Sequence, residues 1–202
     1  MPGTEMDRLL DQARIRLPGA VDAAIIPELT SVLREFFSGS NVWREEITFP
    51  VFATSSNIFL DPDDFAYDLV PSEGAILRLL GVRTASGTGI HARMPVPGTV
   101  LLSVSPSSDT DYIAAVVLTV APPAPSTVPT APEWVVERHH DVLLDGLLGR
   151  MMSQLAKPYS SPSIAAVHLR RFKRGTAEAK VEANRGNVYA APSWRFPGAF
   201  GN

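Results

Sequence analysis

Hydrophobic spacing changes twice along this chain, and those changes constrain the fold more than any other feature. Near the N-terminus apolar residues recur every three or four positions, the period of a helix with one buried face. Ile25, Leu29, Val32 and Phe36 form such a stripe, widened by Ile26, Leu33 and Phe37. From about Arg44 the period falls to two. Ile47, Phe49 and Val51 alternate with Glu46, Thr48 and Pro50, as in a half-buried strand whose proline places it at a sheet edge. Beyond Pro122 the helical period returns, with Val136, His140, Leu143 or Leu144, Leu147, Leu148, Met151 and Leu155 on one stripe.

Local signals place the element ends. Thr4 caps a first helix from Glu5 to about Ile15 that buries Leu9, Leu10 and Ala13, and Leu17-Pro18-Gly19 ends it. A second helix spans Asp22 to Phe37, with Pro27 in an early turn or at a kink, and Ser38-Gly39-Ser40-Asn41 stops it. Further strands are expected at Ala66 to Val70, Ala75 to Thr84, Thr99 to Ser105 and Tyr112 to Val120, separated by turns rich in Gly, Pro, Asp and Ser. A proline-rich connector from Pro122 to Pro129 leads into a third helix from Glu133 to Leu155. Ser161-Pro162 opens a fourth helix reaching about Asn184, with Ile164, Ala165, His168 or Leu169, Phe172 and Val181 inward. Its other face is basic: Arg170, Arg171, Lys173, Arg174 and Lys180.

Each amphipathic helix must bury its stripe, so the expected class is α+β. The expected arrangement is a four-helix bundle, with two N-terminal helices (residues 1–43) and two C-terminal helices (residues 123–185). A small antiparallel β module (residues 44–122) is inserted between them, and an extended tail (residues 186–202) follows. Phe36, Phe37, Trp43, Gly146, Gly149 and Phe172 are the expected helix-packing residues. A glycine inside a helix costs about 1 kcal/mol relative to alanine, so Gly146 and Gly149 point to close helix approach. The tail carries Tyr189, Trp194, Arg195, Phe196 and Phe200 among prolines and glycines. Aromatic rings on an extended segment are costly to leave in water. Docking on another chain solves that problem, and folding back on the same chain is the alternative.

Composition narrows the function classes. With 45% hydrophobic and 19% charged residues the chain has the material for a core. A net charge of -3 gives no reason to expect a nucleic-acid binder. The absence of cysteine excludes disulfides and thiolate metal sites and fits a reducing cytosol. No signal-peptide pattern opens the sequence, and no apolar run approaches the ~18 residues of a membrane span.

No catalytic set converges in the sequence. His139 and His140 are adjacent, so on a helix they point about 100° apart. Glu137-x-x-His140 alone has metal-ligand spacing, and no second pair accompanies it, so the expectation is a histidine hydrogen-bonded at the bundle edge. Glu45 and Glu46 alternate across a strand. Asp61, Asp63 and Asp64 lie in a proline-containing turn, where aspartates serve the backbone. Gly87-Thr88-Gly89 is a hairpin rather than a phosphate loop. The expectation is therefore a non-enzymatic structural protein without cofactor or metal, acting by packing against copies of itself and other proteins.

Four segments carry a resemblance. Arg16-Leu17-Pro18-Gly19-Ala20 leads to a helix ending Glu35-Phe36-Phe37-Ser38-Gly39-Ser40-Asn41-Val42-Trp43. Tyr67-Asp68-Leu69 follows the first strand. His140-Asp141-x-x-Leu144-x-Gly146-x-Leu148 opens the third helix. Lys157-Pro158-Tyr159-Ser160-Ser161-Pro162 joins a helix with Ala165-Ala166-x-His168-x-x-Arg171-Phe172. In order and spacing these segments resemble the head-to-tail connector, or adaptor, proteins of tailed bacteriophages.

The resemblance implies a helical bundle with a β insertion, assembled as a ring of twelve copies beneath the portal. Such a ring continues the DNA channel and meets a downstream tail or nozzle protein. It further implies a virion location at the neck, after synthesis in the host bacterial cytoplasm, with roles in genome packaging and ejection. Tyr189, Trp194, Arg195, Phe196 and Phe200 are then the portal-docking candidates. The competing expectation is a virion-associated carbohydrate-binding module or hydrolase, using the β module near Asp61, Asp63 and Asp64.

Overall fold

The computed structural model describes residues 4–60, 74–121 and 127–186. The expected strand at 66–70, Tyr67-Asp68-Leu69, Asp61, Asp63, Asp64 and the tail residues from 187 onward lie outside the described residues. What is described is α+β, with five helices and two antiparallel sheets.

The first helix, α1 (Glu5–Arg16), opens with a reciprocal cap. The Thr4 hydroxyl accepts from the Asp7 backbone N–H at 3.2 Å, and the Asp7 carboxylate accepts from the Thr4 backbone N–H at 2.9 Å. Two orphan donors of the first turn are thereby satisfied. Helix α2 (Asp22–Ser40) runs through Pro27 and past the expected stop at Ser38. Gly39 is helical, and Asn41 ends the helix in the left-handed conformation, φ 55°. An asparagine tolerates that conformation better than most residues, so the stop comes from one residue rather than from the whole tetrapeptide.

The β region then pairs β1 (Arg44–Val51) with β7 (Thr110–Val120), and β7 with β3 (Gly74–Thr84). A two-residue β4 (Gly89–Ile90) completes the order β1-β7-β3-β4. The second sheet has the order β2-β6-β5, from Asn57–Phe59, Thr99–Leu102 and Ala92–Val96. Pro50 does lie on an edge strand. Central strand β7 is buried from Val116 to Val120 and packs against α2. Trp43 fastens this junction: its carbonyl accepts from the Leu118 N–H at 2.9 Å.

The C-terminal helices differ from expectation at one point. The single third helix is two, α3 (Glu133–Arg138) and α4 (His140–Met152), separated at His139. Leu155 lies past the end of α4 and is 78% exposed, so it leaves the buried stripe. Helix α5 (Pro162–Asn184) starts as expected after Ser161, but the Ser161 side chain makes no capping bond. Helix α4 packs along α5, both pack on α2, and α1 packs on α3 and α4. One hydrophobic cluster joins these helices to both sheets, from Met6 and Leu9 through Phe36, Trp43 and Val116 to Phe172 and Ala183.

Candidate assembly surface

Gly146, Gly149 and Phe172 meet on a seam between α2, α4 and α5, while Phe36, Phe37 and Trp43 form an aromatic chain from the end of α2 toward the sheet. Phe36 and Phe37 are fully buried, with ring centroids 5.7 Å apart in an edge-to-face arrangement, and Phe37 lies 5.3 Å from Trp43. A methyl group on Gly146 would stand 2.7 Å from Val32 Cγ1 and 2.8 Å from Phe172 Cδ2. One on Gly149 would stand 2.8 Å from Leu169 Cγ. Two further glycines, which hydrophobic spacing does not single out, make the same close approach. Gly39 faces Thr176 Cγ2 at 2.7 Å, and Gly175 faces Val142 Cγ2 at 2.5 Å. A glycine row offset by large residues on the facing helix is the signal for these, visible only once the pairing is known.

Polar contacts hold the same seam. His168 Nδ1 and Asp145 Oδ1 lie 2.6 Å apart, both largely buried, linking α5 to α4. Arg138 of α3 meets Glu182 of α5 at 3.2 Å, and Arg150 of α4 reaches Glu28 at 3.6 Å and Glu35 at 2.5 Å on α2. The loop entering α2 touches the loop entering α5, with the Gly19 Cβ position 3.6 Å from Pro158 Cγ; within the latter loop Tyr159 OH donates to Gln154 Oε1 at 3.1 Å.

The histidine expectation needs correcting. His139 and His140 each bury Nε2 without a hydrogen-bond partner, and the hydrogen-bonded histidine is His168. His139 lies 5.1 Å from the Phe36 ring. Burial pushes its pKa below the usual 6.5; the Glu182 carboxylate opposes that shift and the Arg138 guanidinium adds to it. Glu45 accepts from Trp43 Nε1 at 3.3 Å, and Glu46 accepts from Arg83 at 2.8 Å. Among the described residues no group of three or more His, Asp or Glu is placed to hold a metal ion.

The expected inward face of α5 holds at Ala165, Phe172 and the largely buried His168, and fails at its two branched ends, Ile164 and Val181. The inward residues are Ala165, Phe172, Gly175, Ala179 and Ala183, while Ile164 is 50% exposed and Val181 49% exposed. Val167 joins them at 47%. Arg170, Arg171, Lys173, Arg174 and Lys180 are exposed beside them. On α3 an exposed Trp134 stands between Glu133 and Glu137, with Asp141 exposed at the start of α4. Among the described residues no helix is long and apolar enough to cross a membrane. Tyr189, Trp194, Arg195, Phe196 and Phe200 lie outside the described residues. No family model matches the chain, and no curated protein matches it.

Proposed function

We propose that this chain is a structural subunit without catalytic activity, a ring adaptor that joins the head of a tailed bacteriophage to its tail. In this reading the helices form a bundle of four long elements carrying the β module as an insertion. About twelve such subunits close a ring beneath the portal, continue the DNA channel, and offer a platform to the tail or nozzle protein below. The chain would then reside in the virion neck. The aromatic tail, with Tyr189, Trp194, Arg195, Phe196 and Phe200, reaches the portal.

The observation that carries this reading is the set of branched apolar side chains left half-exposed on α5. Ile164, Val167 and Val181 are each about half exposed on one 23-residue helix. Exposed apolar residues gathered on one element and rimmed by charge have the composition of a protein-contact site. A net acidic chain also suits a DNA conduit, since phosphate is not held by the wall.

The test is electron microscopy of the full chain with the portal protein from the same genome. Ring density between portal and tail is expected. Deleting residues after Gly186 should leave the circular dichroism spectrum unchanged and abolish attachment to the portal. A truncated chain that joins portal rings normally refutes the docking role of the tail. A portal–tail joint assembled without density for this chain refutes the adaptor itself.

A further inference from the structure

Two exposed helical surfaces of this chain carry opposite charge on balance, and they lie on different elements. On α5, Ile164, Val167, Arg171, Arg174, Glu178 and Val181 repeat at three- and four-residue spacing along a helix of about 35 Å, a face that is basic apart from Glu178. Arg174 leaves 82% of its side chain in solvent, although it pairs with Glu178 at 2.8 Å on the same helix. The second surface is the ridge of Glu133, Trp134, Glu137 and Asp141, where Trp134 is 46% exposed; Arg138 beside it is paired to Glu182 of α5, so the ridge is acidic on balance.

We propose that the outer face of α5 docks on the acidic ridge of α3 and early α4 in the next copy of the chain. This contact rests on the ring reading above and names the surfaces that close it. Arg171 and Arg174 meet Glu133, Glu137 and Asp141, a pairing of sign that steers copies together and fixes their register. Trp134, an exposed aromatic between two carboxylates, is the anchor: its ring accepts a guanidinium face and covers the valines beside it. Two α5 faces pair mostly cation with cation, apart from Glu178, and two ridges pair mostly carboxylate with carboxylate, apart from Arg138. Each surface therefore selects the other, and the contact runs head to tail, the kind that generates a ring when the rotation closes. Duplex DNA is the other partner that a basic face attracts. The apolar residues interleaved along α5 and the carboxylates of Glu178 and Glu182 favour protein instead.

The absence of cysteine from the chain makes disulfide trapping clean. Under mild oxidation at millimolar protein, the variant carrying both Glu137→Cys and Arg174→Cys is expected to give a ladder of dimer, trimer and higher species. Each single variant alone should stay unlinked, and a mixture of the two should stop at the dimer. Reversing one surface in the double-cysteine background, by Arg170→Glu with Arg171→Glu, should remove the ladder. Adding Glu133→Lys and Asp141→Lys should restore it. Raising the salt from 0.01 M to 1 M shortens the screening length from about 30 Å to about 3 Å, and the ladder should fade.

A ladder absent at all salts overturns the contact, and so does dimerisation of Arg174→Cys alone. Binding of a fluorescent DNA duplex that Arg170→Glu with Arg171→Glu abolishes also overturns it. Ring density on the portal together with no ladder removes this contact and leaves the adaptor. A ladder from a chain that gives no density at the portal–tail joint keeps the contact and removes the adaptor.

Discussion

Gly175→Ala should destabilise the chain, although alanine is the better helix former. Two effects oppose each other. Replacing a mid-helix glycine gains about 1 kcal/mol of helix propensity. The new methyl, however, would stand 2.5 and 2.8 Å from the two γ-carbons of Val142 and 3.2 Å from its β-carbon. Carbon atoms rest at about 3.5–4.0 Å, so the closest contact is about 1 Å too short. Val142 is β-branched and has one strongly preferred rotamer in a helix, so it cannot swing aside cheaply.

Overpacking of this kind costs about 1–3 kcal/mol, and a clash with two methyls belongs at the upper end. The expected net loss is about 1–2 kcal/mol, or a fall of roughly 2–8 °C in melting temperature for a chain of this size. Val142→Ala alone should cost about 1 kcal/mol, because the side chain is only half-buried. In that background both short contacts are gone, and Gly175→Ala should become neutral or stabilising. Guanidinium denaturation of the four proteins closes the cycle, with a coupling of about 1–3 kcal/mol. If Gly175→Ala stabilises the parent chain, or costs the same with and without Val142, then close approach is not the reason glycine stands there.

Two further outcomes follow from single residues. The His139 pKa is depressed in the folded state, chiefly by burial, so the unfolded chain binds more protons in the window below 6.5. The stability tied to a neutral His139 is complete above that value and is lost as pH falls through the folded pKa. The denaturation midpoint should thus fall between pH 7.5 and pH 5, with a smaller drop in His139→Leu; equal drops in both proteins refute the assignment. At Asn41 the backbone is left-handed, φ 55° and ψ 31°. Asn41→Val should cost about 1–2 kcal/mol while Asn41→Gly costs nothing. Equal melting temperatures for the two would show that this cap does not set the end of α2.

Much of this architecture is written in local pattern. The Thr4 cap, the broad stripe of α2 and the alternation of β1 each depend on residues within one element, so a linear reading finds them. The short strands are different. β2 and β4 span three and two residues, too few to establish a period, and exist because a neighbouring strand supplies hydrogen bonds. The separation of α3 from α4 at His139 escapes for a related reason, since the apolar stripe continues across it and only the backbone angles change.

Ile164 and Val181, the two misplaced residues of the α5 face, follow from size rather than from range. Hydrophobic patterning weights large side chains, so it turns Ile164 and Val181 inward. Burial on α5 is instead achieved by small residues and close approach: Gly175 lies against Val142 of α4, and Ala179 and Ala183 are buried further along the same face. A larger residue at those positions would push the helices apart and open the core, so the seam selects small residues. The branched residues of α5 are then left for the outer side, where a lone subunit gains nothing from them. A helix that holds its own chain with glycine and alanine, yet shows solvent isoleucine and valine spaced among arginines, has two faces adapted to two partners. The tight one is satisfied within the chain. The outer one, half-exposed along its length, is the argument that folding and assembly use opposite sides of α5.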